Sequence, residues 1–171
     1  MKGLFIIIFL SLLLPVKVYA QSSYVLPYPS TMPGNISYKI HLVYEEVSKS
    51  WYFGDFGKFK YNLKYANKYL AESKTLFEYR QYLLGYKALG KSNYYFIKIH
   101  SSLVNAKKNG KNTQDKEAIL FQAAEKHIEV LSKLAKELPK KIIWKPEKEK
   151  ESILDLEKEI HNAISIRQKY L

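Results

Sequence analysis

The chain has 171 residues, carries 28 basic against 16 acidic side chains, and contains no cysteine. A domain of that length buries roughly 70% of its unfolded surface, so one core of ordinary size is expected. The missing cysteine excludes disulfides, a lipid-modified cysteine anchor and thiol catalysis, which leaves packing alone to hold the fold.

Lys2 precedes an apolar run over residues 4–14, broken only by Ser11; Pro15 ends it and Val18, Tyr19 and Ala20 follow. This order reads as a signal peptide over residues 1–20, cleaved after Ala20, and hence an exported protein. The run is about half of the ~20 residues that span a bilayer, so a retained anchor is the weaker reading. Residues 21–34 contain Pro27, Pro29 and Pro33. Proline fixes φ and removes a backbone donor, so this segment is expected to be an extended strap leading into a single domain over residues 35–171.

In that domain Asn35 or Ser37 can cap a first helix, with Ile36, Ile40, Val43, Val47 and Trp51 recurring on one face that is expected to point inward. Asp55 is the expected cap of a second helix, whose inward positions are Phe56, Phe59, Leu63, Ala66, Leu70 and Ser73. A third helix is expected over residues 82–108, through Tyr82, Tyr86, Leu89, Asn93, Phe96, His100 and Leu103. Gly85 and Gly90 each cost about 1 kcal/mol against alanine there and mark a kink. Asn112 or Thr113 opens a fourth helix with Leu120, Ala124, Ile128, Leu131 and Leu138 inward, stopped by Pro139. Pro146 suits the first turn of a fifth, with Glu147, Glu149 and Glu151 at its positive end. Its seam is Ile153, Leu156, Ile160, Ala163, Arg167 and Tyr170. No alternating run is long enough to argue for a strand. The expected fold class is all-α: an up-and-down bundle of four to five amphipathic helices after a cleaved signal peptide, with residues 113–171 as its C-terminal helical hairpin.

The segments VLPYPSTMPGNISYKIHLVYEEV and FGDFGKFKYNLKYANKYLAESKTL, over about residues 24–108, resemble a bacterial and archaeal family labelled domain of unknown function 5667. The matching residues are Leu26-Pro27-Tyr28-Pro29, Tyr38-Lys39-Ile40 and Leu70-Ala71-Glu72; Ser30 stands where that family usually has glycine, and Asn35-Ile36 where Asp-Ser-Pro is common. The resemblance implies an exported helical protein and assigns no catalytic residue.

Residues 85–92 read Gly85-Tyr-Lys-Ala-Leu-Gly90-Lys91-Ser92, which fits the phosphate-loop pattern letter for letter. A phosphate loop needs a strand before it and a helix after it, whereas Glu78 to Leu84 continue a helical pattern, so no nucleotide is expected. His41, His100, His127 and His161 fall on four helices without the Glu-x-x-His spacing of bundle metal sites, and His100 reads as a core imidazole. With no thiol and no nucleophile elbow, the residues predict no enzyme, no metal and no cofactor.

Lysine and tyrosine carry the remaining signal. Residues 21–112 hold 14 basic and 5 acidic side chains, against 12 and 11 in residues 113–171. Within the basic half, Lys60-Tyr61, Lys64-Tyr65 and Lys68-Tyr69 recur every four residues, which stacks three ammonium groups and three phenols along one helix. Phenols stack on sugars and ammonium groups attract phosphate or carboxylate, so these six residues are the expected contact with an anionic envelope polymer or membrane surface. Only two arginines, Arg80 and Arg167, are present, which argues against sequence-specific nucleic acid. The expected function is non-enzymatic binding or scaffolding at the cell envelope; the alternative is a sensor or partner-binding domain that pairs through its C-terminal helix.

Overall fold

The structure, a computed structural model, describes residues 23–29, 31–147 and 150–171. The signal peptide over residues 1–20 and its cleavage after Ala20 lie outside the described residues, as does Glu149.

Residues 23–29 and 31–35 form neither helix nor strand, as their prolines require. Helix α1 (Ile36–Ser48) follows, capped by the Asn35 side chain, which accepts from Ser37 N at 3.1 Å. A short 3₁₀ turn (Lys49–Trp51) leads to α2 (Gly54–Glu78). Asp55 is not the cap: Phe53 holds that position, and Asp55 in the first turn binds Lys111 at 2.8 Å and Asn109 at 3.0 Å across the hairpin. Helix α3 (Tyr82–Lys108) returns antiparallel and α4 (Gln114–Glu137) follows from Thr113. Strands β1 (Lys141–Trp144) and β2 (Ser152–Asp155) pair antiparallel before α5 (Leu156–Gln168).

That hairpin corrects the expected fifth helix. Ile142, Ile143 and Ile153 are β-branched, and Ile142 faces Leu154 while Ile143 faces Ile153. Pro146 therefore lies in the connection, Ile153 is exposed, and Glu147 and Glu151 meet no helix terminus. The helix starts later, where Asp155 accepts from Lys158 N at 3.0 Å.

The bundle is built on the α2/α3 hairpin, with α5 packed across α3 and α4. One apolar cluster gathers Leu70, Phe77, Leu89, Leu131, Leu156 and Ile160; a second gathers Phe59, Phe96, Ile99, Leu103 and Leu120. Small residues set the closeness of the hairpin. Ser73 Oγ donates to Gly85 O at 2.8 Å and Ser92 Oγ to Ala66 O at 2.8 Å. A Cβ on Gly85 would stand 2.6 Å from the Phe77 ring. Gly85 is thus explained by close packing, and α3 runs unbroken through both glycines. Between α2 and α3 the chain turns at Arg80, whose φ of 59° is left-handed. His100, expected in the core, is exposed, with its ring 5.5 Å from that of Tyr170.

The largest correction concerns α1. Ile36, Ile40, Val43, Val47 and Trp51 share one face as expected, but all five are exposed, from 53% to 76%. The buried residues of α1 are Glu45 and Ser48. This helix turns its polar face to the protein.

Candidate functional site

Two polar centres are built into the fold. The first explains α1. Tyr61, Tyr65 and Tyr69 follow one another at four-residue spacing on α2 and are all buried, joined by Tyr95 from α3. The rings pack on one another, with Tyr69 and Tyr95 stacked at 5.8 Å and 3°. Such a ring layer leaves a row of hydroxyls on top, and a buried hydroxyl needs a partner. Helix α1 supplies acceptors. Glu45 Oε1 accepts from Tyr95 at 2.8 Å and Oε2 from Tyr69 at 2.7 Å, while the Glu45 backbone carbonyl accepts from Tyr61 at 3.1 Å. The hydroxyls of Ser48 and Tyr65 meet at 3.1 Å, and Lys68 Nζ reaches Glu45 Oε2 at 3.0 Å. Two turns before Glu45, Tyr38 donates to Glu72 Oε1 at 2.7 Å.

Burial, then the bonds to Glu45, push the Tyr69 and Tyr95 phenols far above their ordinary range; burial pushes Tyr61 up to about 12. Burial also raises the Glu72 carboxyl. The phenols are therefore donors at neutral pH, and the Glu45 carboxylate is held by three donors.

The six expected contact residues thus divide. Tyr61, Tyr65 and Tyr69 are under α1 and cannot stack on a polymer, which corrects that part of the expectation. Lys60 and Lys64 are exposed, with Lys64 Nζ 5.4 Å from the centre of the Tyr65 ring, whereas Lys68 is taken by Glu45. The sequence signal for the tyrosine layer was its four-residue spacing, which is equally a buried stripe.

The second centre was missed. Arg167 of α5 is completely buried and reaches two other helices. Its Nε donates to His127 Nδ1 at 2.9 Å, Nη1 to Asn93 Oδ1 at 2.6 Å and to Ala163 O at 2.8 Å, and Nη2 to Ser92 Oγ at 2.8 Å. Beyond them His127 Nε2 meets Asn67 Oδ1 at 2.7 Å, Asn67 Nδ2 donates to Tyr24, and Asn93 Nδ2 donates to Glu159 at 2.9 Å. Because His127 Nδ1 accepts from Arg167, its proton must be on Nε2, and the imidazole is neutral. Burial and the neighbouring Arg167 charge both push it well below its usual range. The network is closed on itself, with Phe96 over the guanidinium at 4.7 Å, and its members line none of the four main clefts among the described residues. It ties α2, α3, α4, α5 and the Tyr24 strap together. A misplaced arginine in an apolar seam was its signal in the sequence.

Residues 85–92 lie inside α3, so their backbone donors serve the helix and do not converge on a phosphate. Ser92 is buried under Arg167, and Lys91 Nζ lies 4.8 Å from the centre of the Tyr69 ring. Among the described residues no group of three histidine or acidic side chains is placed to hold a metal, and no helix is long and apolar enough to cross a membrane. No family profile, curated protein or solved structure matches this chain.

Proposed function

We propose that the protein is a non-enzymatic, extracytoplasmic module that lies on an anionic membrane surface through α1. The observation that carries this reading is the outward apolar face of α1. Ile36, Ile40, Val43 and Val47 form one exposed stripe, continued by Trp51 and Phe53. Each such side chain gains roughly 1.5–3 kcal/mol on leaving water, so an uncovered stripe is a standing drive to associate. Helices that lie in a bilayer interface have this one-sided make-up, with tryptophan at the headgroup level.

Charge favours an anionic surface over a neutral partner. Lys39 and Lys49 are exposed on the α1 segment, and exposed Lys60 and Lys64 of α2 run beside the tyrosines that α1 covers. The balance of 14 basic to 5 acidic residues over 21–112 gives the same half of the chain its attraction. The seam of α5 is buried in the bundle, so a partner helix would find α1 before α5.

Co-sedimentation with vesicles tests the reading. Vesicles rich in phosphatidylglycerol should bind the protein and zwitterionic ones should bind far less, with binding weakened by salt. Val43→Asp with Val47→Asp should abolish binding, and Lys60→Gln with Lys64→Gln should weaken it. Unchanged binding by the valine variant, or a concentration-dependent dimer in place of vesicle binding, would sink the membrane reading.

A further inference from the structure

A cleft of about 240 Å³ opens between the 3₁₀ turn after α1 and the α2/α3 hairpin. Clefts for drug-sized ligands run to roughly 300–1,000 Å³, so this one matches a smaller molecule. Its floor holds Asn62, which is only 8% exposed and whose amide has no protein hydrogen-bond partner among the described residues. The amide atoms themselves still reach solvent, so the group is free to bond a molecule that enters the cleft. The walls are the half-buried rings of Tyr52 and Tyr95, with the buried Tyr61 behind them, edge to face with Tyr52 at 5.3 Å. Lys49, Lys58 and Lys98 reach the cleft, against one carboxylate, Glu46, which Lys49 already approaches at 3.6 Å. Lys58 and Lys98 have no ion pair among the described residues. Lys98 rests on Tyr94, whose hydroxyl accepts from its ammonium.

We infer that this cleft binds a single sugar unit carrying one anionic substituent, its ring against the tyrosine wall, a hydroxyl on the Asn62 amide and its acidic group toward Lys58 and Lys98. Each part of the site excludes a simpler ligand. An apolar molecule would strand the Asn62 amide, which costs about 1–3 kcal/mol. Inorganic phosphate alone would leave the aromatic wall wet, and the cleft has neither an arginine fork nor a helix N-terminus to hold it. A neutral sugar would leave Lys58 and Lys98, neither of which has an ion pair among the described residues, without a counter-charge. The ligand is thus both flat-faced and acidic. This inference rests on no part of the membrane reading, since neither Asn62 nor the tyrosine wall belongs to the outward stripe.

Calorimetric titration with glucuronate, glucose and inorganic phosphate tests it. Glucuronate should bind at least tenfold more tightly than either of the others. Asn62→Leu should reduce glucuronate affinity at least tenfold while thermal stability and vesicle binding are unchanged, because the amide has no protein partner to lose. Lys58→Gln with Lys98→Gln should bring glucuronate down to the affinity of glucose. Glucose or phosphate binding as well as glucuronate would overturn the inference. So would undetectable binding of all three, or an Asn62→Leu protein that melts several degrees lower, since the amide would then be a structural group.

Discussion

Helices α1 and α5 are both 13 residues long, and both space their apolar-seam positions four, three and four apart. In α5 the positions 156, 160, 163 and 167 are buried; in α1 the positions 36, 40, 43 and 47 are exposed. The same periodicity thus serves opposite orientations. What decides is the surface each helix meets. Helix α5 meets Leu131, Leu89 and Phe96, so burying leucine and isoleucine is favourable there. Helix α1 meets a row of phenol hydroxyls, for which an apolar face offers no acceptors and Glu45 offers several. Periodicity predicts that a helix has two faces, and the partner predicts which one goes in.

Among the hydrogen-bonded centres, the largest effect that should separate the two helices is at Arg167. Arg167→Leu leaves His127, Asn93 and Ser92 without their common partner inside the core, and losing one member of a buried charged network costs about 3–5 kcal/mol. Denaturant unfolding should show that loss for the whole bundle in one transition. A variant within 1 kcal/mol of the parent would mean that water replaces the guanidinium and that the network holds nothing together.

Next in size is Glu45→Ala, which strands the hydroxyls of Tyr69 and Tyr95 at a cost of about 1–3 kcal/mol. Here the effect should be local, because α1 is held to the bundle by hydrogen bonds. Amide exchange should accelerate over residues 36–48 and stay slow over residues 54–108. Equal acceleration in both stretches would show that α1 is integral to the core, and the contrast with α5 would be lost.

How much of this was written in the sequence can be judged element by element. The bounds of α3 came out as expected, because Gly110 and the lysines before it punctuate its end. The hairpin did not, since strands of four residues are too short for a period and the Glu/Lys stretch between them reads as helical. Tyr61, Tyr65 and Tyr69 were found as a set but placed on the outside, for spacing carries no sign. Arg167 and Asn93 were placed at inward positions, but the network they form with His127 and Ser92 was not found. Its members are residues 92, 93, 127 and 167, and only the tertiary fold brings them together.

Acidity should sharpen the comparison further, because the two centres respond with opposite sign. His127 has a lowered imidazole pKa in the fold, so the unfolded chain takes up a proton first as pH falls below about 6.5, and the stability of the α5 side declines from there. Glu72, beneath Tyr38 of α1, has a raised carboxyl pKa, so its ionisation on going above about 4.5 works against the folded state. His127→Gln should therefore flatten the loss of stability between pH 6.5 and 5. Glu72→Gln should raise stability at pH 7 and make no difference at pH 4. Midpoints of urea unfolding at pH 7, 6.5, 5 and 4 check both, and a parent protein whose midpoint is level from pH 7 to 5 would contradict the His127 assignment.

The smallest effect is the most telling for α1. Val43 is 65% exposed in the centre of its outward stripe, so Val43→Lys removes no packing and strands no polar group. Lysine is a slightly better helix former than valine, because the β-branch restricts the side chain against the preceding turn. The expected change in unfolding free energy is within about 0.5 kcal/mol, and of either sign. The matching change in α5, Ile160→Lys, would put an ammonium group into a residue position that is 1% exposed, beside Leu131 and Leu156, and should prevent folding. Measured side by side by thermal unfolding, the pair asks whether four-three-four spacing means the same thing in both helices. A Val43→Lys protein destabilised by more than about 2 kcal/mol would place that residue in an apolar contact and reverse the orientation of α1.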